Sequence, residues 1–263
     1  MQLKSISILI LSVSILTSCG RNNNSSGKEE NTTTDEIEIT QPVIKDKTLT
    51  IDFMSPEKDM IGNIKVKDFD MEDIELPIFD TKKLINLIKI CAEDLTLGIE
   101  RNNQNKAHKL YIQDDVYEVI YTLSDPMLFS KVGSVKDVEW NTTLDLSSED
   151  INNMIKAKNA LSDVDNMIIE SQHDLSGEGM CNFIFGDNSD YNNKITYSIK
   201  GKIDNSVIRI SFNSDQFKNI LSANKDSSSA FLKINKEGLM SLEFSSPDMT
   251  SYYFMVKKSD TNL

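Results

Sequence analysis

The chain has 263 residues, of which 39% are hydrophobic, so it is long enough for one large domain or two modest domains with buried cores. Its 41 acidic and 28 basic residues leave a formal net charge of -13, which excludes a body that is basic all over. A surface that binds nucleic acid would therefore need its positive charge gathered on one face.

The first 20 residues form an apolar N-terminal segment with two interpretations. Lys4 precedes an apolar run from Ile6 to Leu16, which is too short to span a bilayer but has the length of a signal-peptide core. Leu16-Thr17-Ser18-Cys19 then resembles a bacterial lipobox, with Cys19 as the residue that would be lipidated. The alternative is an apolar helix that packs against the body. Residues 21–44, which start rich in Asn, Ser, Thr and Glu, are predicted to be a polar linker or insertion.

Residues 45–123 are predicted to form a first domain that begins with strands. Alternating apolar residues predict strands at Leu49–Met54, Ile61–Lys67 and Ile74–Phe79. Asp80 and Thr81 can cap a helix from Lys82 to Ala92. Three further strands are predicted at Thr96–Arg101, His108–Ile112 and Val116–Leu123.

Residues 124–140 contain Pro126 and Gly133, have no clear period, and are predicted to be a connector. Residues 141–263 form a second predicted domain with two helices. The first starts near Ser148, where Ser147 or Ser148 can cap it, and the second runs from Ser214 to about Lys225. The predicted strands are Thr142–Leu146, Met167–Gln172, Met180–Phe185, Lys194–Ile199, Val207–Phe212, Ala230–Ile234, Leu239–Phe244 and Tyr252–Lys257.

A unit of one strand, one helix and three strands therefore occurs three times. The helices start near residues 81, 148 and 214, about 66 or 67 residues apart, which indicates a repeat. Two units follow the connector, so by symmetry two should precede it. Counting back from residue 81 places the missing first helix near residue 14, inside the apolar run.

The sequence predicts no catalytic residue, no metal site and no cofactor, because it lacks a phosphate-binding loop, a zinc motif and a nucleophile elbow. Asp187 and Asp190 lack the spacing of a calcium loop and are better explained by a polar hairpin loop. The three cysteines do not predict a disulfide framework. For Cys91 and Cys181 the alternatives are free thiols and a single bridge.

Lysines are the informative charges on the three helices. They recur on the polar faces, and no acidic residue interrupts their rows; the residues are Lys82, Lys89, Lys156, Lys218 and Lys225. An ordinary solvated face is the simplest explanation for any one helix. For three related helices in an acidic chain, one shared positive lining is favoured, and it could hold a phosphate backbone without reading sequence.

Four segments carry a resemblance to a known family. They are Ile78-Phe79-Asp80, Ser124-Asp125-Pro126, Ser148-Glu149-Asp150-Ile151 with Lys156, and the terminal strand Met249–Val256. In their order and spacing, over residues 45 to 260, the chain resembles the sliding clamps of T4-type bacteriophages, relatives of PCNA. None of the four segments is chemically diagnostic by itself.

The resemblance implies an α+β DNA clamp fold with two similar domains, each of two β-α-β-β-β units, sheets outside and helices lining a ring. It implies a homotrimer that encircles duplex DNA, tethers the replicative polymerase, is opened by a clamp loader, can assist late transcription and catalyses nothing. Such a protein would act in the cytoplasm of the host bacterium. By analogy the five lysines face DNA, and Leu128, Phe129 and Val132 are candidates for a partner-peptide pocket.

The resemblance is incomplete at the N-terminus and at one lysine. Clamps begin with an inner helix, and here Ile6–Leu16 occupies that place. The alternative function is an envelope lipoprotein, lipid-anchored at Cys19, with a β-rich binding or structural module. Lys158 falls on the apolar side of its helix, so it is expected to extend its amine past that side to water.

Overall fold

The computed structural model describes residues 38–39, 41–91, 95–129, 132–133, 135–173, 179–186, 193–203 and 209–258. Three α-helices lie in this part of the chain: α1 (Thr81–Ile88), α2 (Ser148–Ala160) and α3 (Ser214–Ala223). A short 3-10 helix, Pro126–Leu128, opens the connector.

The strands before α2 are β1 (Glu38–Ile39), β2 (Val43–Lys45), β3 (Thr48–Met54), β4 (Met60–Val66), β5 (Ile74–Glu75), β6 (Thr96–Arg101), β7 (Ala107–Gln113), β8 (Glu118–Thr122) and β9 (Thr142–Asp145). Those after it are β10 (Asn166–His173), β11 (Gly179–Phe185), β12 (Ile195–Ile203), β13 (Arg209–Asn213), β14 (Ser229–Ile234), β15 (Leu239–Ser245) and β16 (Met249–Val256).

The predicted repeat is confirmed. A strand, a helix and three strands follow one another as β5-α1-β6-β7-β8, β9-α2-β10-β11-β12 and β13-α3-β14-β15-β16. The helices begin at Thr81, Ser148 and Ser214, the three positions that the spacing indicated. The α+β class is likewise confirmed.

Two sheets contain the strands of the described residues, and every pairing is antiparallel. The larger sheet runs β13-β10-β11-β12-β9-β14-β15-β16-β4-β3-β2-β5, with β1 also beside β3, and the smaller runs β6-β7-β8. Strand β16 pairs with β4 over seven residue pairs, from Met249↔Val66 to Met255↔Met60. The end of the chain thus joins the sheet of its first half, so the division into two domains stays a prediction.

Each helix starts where a side chain accepts hydrogen bonds from its first turn. Asp80 accepts from the backbone N–H of Lys83 at 2.7 Å. Ser147 and Asp150 form a reciprocal capping box at α2. Asn213 accepts from two backbone N–H groups at α3. These short polar residues satisfy donors that the helix itself leaves open, which fixes the start points.

The core lies between the sheets and the helices. Along β3 every second residue is buried, and the buried Leu49, Ile51 and Phe53 face the core. On the other half, the ring of Phe217 from α3 stacks on Phe183 of β11 with centroids 5.9 Å apart. Helices α2 and α3 also pack on each other. The apolar faces of helices and strands are therefore buried together, as in other layered folds.

Several predicted bounds differ from those in the structure. The strand predicted for Ile74–Phe79 ends at Glu75, because Pro77 has no N–H for a ladder. Helix α1 ends at Ile88 rather than Ala92, since the N–H of Cys91 bonds the carbonyl of Ile88 only three residues back, which tightens the last turn. Strand β1 and the first two residues of β2 fall within residues 21–44, so paired strands begin inside the predicted linker.

The predicted first helix, the lipobox and Cys19 lie outside the described residues. Cys91 and Cys181 are free thiols, and Cys181 is fully buried. Burial raises the pKa of Cys181 to about 12, so it is an inert core residue. In the part of the chain that the structure describes, no helix has the length and apolar character of a membrane span.

Candidate nucleic-acid interface

Helix α1 has the most basic surface of the three helices. Its sequence, Thr81–Ile88, contains Lys82 and Lys83 and no acidic residue, and Lys89 follows at its C-cap. All three lysines are exposed, while Leu84, Ile85 and Ile88 are buried on the other side. Lys82 and Lys89, seven residues apart, lie on one exposed face as predicted.

Helices α2 and α3 present the other predicted lysines less uniformly. Lys156 is exposed on α2. Lys218 of α3 is half-buried, and Lys225 is exposed but lies beyond the end of α3 at Ala223. The role of these lysines at DNA stays a prediction, although four of the five side chains are exposed to solvent.

Acidic residues occupy the first turns of α2 and α3. Glu149 lies seven residues before Lys156, on the same side of α2, so the lysine row of α2 starts with a negative charge. The carboxylate of Asp150 accepts a hydrogen bond from the backbone N–H of Ser147 in the capping box. It also accepts one from the hydroxyl of Tyr197 of β12 at 2.7 Å. Asp215 of α3 pairs with Lys158. Two of the three carboxylates thus already have partners in the fold.

Partial burial opposes the ionisation of Asp150. Hydrogen bonds from Ser147 and Tyr197 outweigh it and hold the pKa of Asp150 below its ordinary value. The carboxylate is therefore ionised at neutral pH, where it stabilises the start of α2.

Contrary to the expectation from the sequence, the amine of Lys158 does not reach water. It is 1% exposed, and its amine donates to the carbonyl oxygens of Leu161 and Ser162 and lies 3.2 Å from Asp215. It lies on the apolar side of α2, as the sequence indicated. Because its amine is buried and bonded to groups inside the protein, Lys158 takes no part in a DNA-facing surface.

The start of the connector is an exposed apolar segment. Met127 is 90% exposed and Leu128 64%. The ring of Phe129 packs edge-on against Phe79, which precedes α1, with centroids 6.4 Å apart. Val132 is half-buried. The apolar contact here is between two aromatic rings, and a pocket for a partner peptide at Leu128, Phe129 and Val132 stays a prediction.

Strands β8 and β12 are among those with open edges in the described residues. Strand β8 pairs on one side only, with β7. Strand β12 pairs with β11 along one side, but on the other side only Lys202 and Ile203 pair, with β9. Ile120 of β8 is 51% exposed, and Val116 and Tyr117 just before β8 are 76% and 46% exposed. Open edges with apolar side chains are surfaces that favour pairing with another chain.

The sequence matches no protein-family model and no curated protein. The structure, however, is similar over nearly its full length to solved structures of proliferating cell nuclear antigen. The antigen from Entamoeba histolytica superimposes with a TM-score of 0.68 at 13% identity, covering 96% of both chains.

The fold is that of the DNA sliding clamps. A PCNA2–PCNA3 complex from Sulfolobus tokodaii gives a TM-score of 0.66 at 10% identity, covering 97% of this chain and 98% of that chain. A. fulgidus PCNA bound to the C-terminal region of FEN-1 gives 0.69 at 12% identity, covering 97% and 96%. At these identities the likeness establishes the clamp fold alone.

Three features of this clamp-fold surface were missed by sequence reasoning. Lys83 extends the basic surface of α1, and its position after Lys82 was a sufficient signal. The hydrogen bond from the Tyr197 hydroxyl to the carboxylate of Asp150 joins residues 47 positions apart, which periodicity does not reveal. The open edges of β8 and β12 follow from sheet order, which a list of predicted strands does not contain.

Proposed function

We propose that this chain is the protomer of a homotrimeric sliding clamp that encircles duplex DNA and tethers a replicative DNA polymerase. The clamp fold, with exposed lysines on its helices, is the observation that carries the proposal. Contacts to phosphates alone would let such a ring hold DNA without preference for sequence.

Closure into a ring is supported by an internal equivalence. Strands β6-β7-β8 follow α1 in the same antiparallel order in which β14-β15-β16 follow α3. Strand β16 completes its pairing with β4, the strand after the hairpin β2-β3. The equivalent of β16 is β8, and the equivalent of β4 is β12, which follows the hairpin β10-β11. Both equivalents have open edges in the described residues, so pairing β8 of one copy with β12 of the next repeats an arrangement already present within the chain.

The proposed setting is the cytoplasm of a bacterium infected by a T4-like phage. A clamp loader would open the ring, and late-transcription factors would share the ring with the polymerase. The exposed apolar residues Met127 and Leu128 at the start of the connector offer a docking surface for such partners. The protein would carry no catalytic residue and no cofactor.

The test combines assembly with a topological assay. Sedimentation should give a particle of three 29.7 kDa chains. On linear DNA, the ring threaded over free ends should be retained when both ends are then blocked with streptavidin, and lost when one end is opened. Retention that does not depend on the ends would identify ordinary surface binding. A monomer that does not bind DNA would contradict the proposal.

A further inference from the structure

The β16–β4 junction inside the chain supplies a register for the proposed junction between chains. Thr250 of β16 lies opposite Lys65 of β4, within a run of seven residue pairs. At the far end of the junction, the carbonyl of Asp59 accepts from the N–H of Val256, and its carboxylate accepts from the side-chain amide of Gln216 at 2.9 Å. The register inside the chain is therefore held along the strands and at their end.

On the open strand β8, the residue that corresponds to Thr250 is Glu118. The turns before the two strands, residues 114–117 and 246–249, are each closed by a backbone hydrogen bond from the N–H of the first residue to the carbonyl of the fourth. Glu118 and Thr250 directly follow these turns. In both strands the residues one and three positions later are buried, so the two side chains lie on the outward face.

On β12, the residue that corresponds to Lys65 is Lys200. Strand β9 pairs with residues 202–203 of β12, so in the described residues the edge that faces away from β11 is open up to Gly201. From the start of β12 at Ile195 to Gly201 there are seven residues, the same number that β4 pairs with β16. Matching the two runs places Lys200 at the position of Lys65.

Local sequence and side-chain contacts support this match. Asn63-Ile64-Lys65 of β4 corresponds to Ser198-Ile199-Lys200 of β12, and in both sets the isoleucine is buried and the lysine exposed. The first residue of each set donates a side-chain hydrogen bond across its hairpin, to Asp52 at 2.5 Å and to Asn182 at 2.7 Å. The two strands therefore present the same face in the same register.

We propose that Glu118 forms an ion pair with Lys200 of the partner subunit, and that this pair sets the register in which β8 joins β12. The inference rests on the proposed ring and adds the side-chain contact that aligns it. Glu118 is exposed and makes no ion pair in the part of the chain that the structure describes. Opposite charges that face each other across antiparallel strands stabilise the pairing, and like charges destabilise it.

The experiment measures trimer dissociation by sedimentation for the full chain and four variants: E118K, K200E, E118K/K200E and K202E. Each of the first two should raise the concentration of half-dissociation about tenfold, because like charges then face each other at every junction. The combined variant should return to within about threefold of the wild type.

The matched control is K202E. Lys202 is exposed on the same strand and, two residues from Lys200, on the same face, but it lies beyond the open edge because it already pairs with β9. Its reversal should change the concentration of half-dissociation by less than about threefold, since diagonal neighbours interact more weakly than opposite ones. Circular dichroism confirms that each variant is folded.

The outcomes separate the contact from the ring. A wild-type trimer whose E118K and K200E variants dissociate at the wild-type concentration would overturn the ion pair and leave the ring standing. Weakened single reversals that the combination does not repair would also overturn it. K202E weakening the trimer as much as K200E would overturn the register. A wild-type chain that stays monomeric would overturn the ring and the contact together.

Discussion

The amine of Lys158 lies 3.2 Å from the carboxylate of Asp215, and the lysine that makes this contact is 1% exposed. The same amine donates to the carbonyl of Ser162 at 2.9 Å, just after the C-terminus of α2. A positive charge therefore bridges the C-terminal end of α2 and the first turn of α3, where the helix dipoles favour this arrangement. The pair thus links two helices that also pack on each other.

Removal of the Lys158 amine should destabilise the protein without exposing a new surface. We expect K158A to lower the free energy of unfolding by about 3 kcal/mol, near the low end for a broken buried pair, because the side chain of Asp215 is 34% exposed. K158M retains the apolar stem and should lose less. Urea unfolding measures both; equal stability of K158A and the wild type would show that the pair contributes nothing.

The lysine faces should control DNA affinity and leave assembly unchanged. We expect the triple variant K156E/K218E/K225E to bind duplex DNA at least about tenfold more weakly, with a smaller salt dependence, because phosphate contacts are lost. Fluorescence anisotropy at several salt concentrations measures the change. K65E is the matched control, since Lys65 is exposed on β4 between the buried Ile64 and Val66 and so points away from the core side of the sheet. An unchanged affinity in the triple variant would show that the lysines are only solvated.

The open edge of β8 should be required for assembly. We expect I120D to be a folded monomer, because Ile120 is 51% exposed in one chain and would be covered by β12 of the next. Sedimentation gives the mass, and thermal unfolding shows whether the monomer is intact. A stable I120D trimer would place the subunit contact elsewhere.

The ionisation of Asp150 should make part of the free energy of unfolding depend on pH in the acid range. Its pKa is lowered in the folded protein, so its contribution is fully present above the unfolded value of about 4 and is lost as the pH falls through the folded value. We expect D150N to be less stable than the wild type at pH 7 and the difference to shrink towards pH 3. The free energy of unfolding measured at both pH values tests this; a constant difference would show that the charge of Asp150 is irrelevant.

The N-terminus should distinguish the clamp from the lipoprotein. If the chain is a clamp, the protein expressed in bacteria should keep residues 1–18 and carry an unmodified Cys19. Intact-mass measurement on the same sample used for sedimentation tests both properties. A diacylglycerol group on Cys19 together with a monomeric body would favour the envelope lipoprotein.

Local chemistry explains which sequence predictions succeeded. The three helix starts were predictable because Asp80, Ser147 and the residues around Ser214 are short polar side chains before an amphipathic pattern. The strand predicted for Ile74–Phe79 failed because an apolar pattern continues where Pro77 prevents a ladder. The apolar side of α2 correctly included Lys158, but no local pattern indicates that its amine finds Asp215, 57 positions away, rather than water.

The sequence by itself determined the order of the elements from β3 onward, the repeat and the lysine positions, because capping and periodicity act over a few neighbouring residues. The tertiary structure alone decided the pairing of β16 with β4, the open edges of β8 and β12, and the contact of Gln216 with Asp59. These depend on contacts between residues far apart in the chain, and many strand orders would satisfy the same local pattern. The proposed ring rests on that sheet order, because the proposed pairing of β8 with β12 of the next chain would repeat the pairing of β16 with β4 inside one chain.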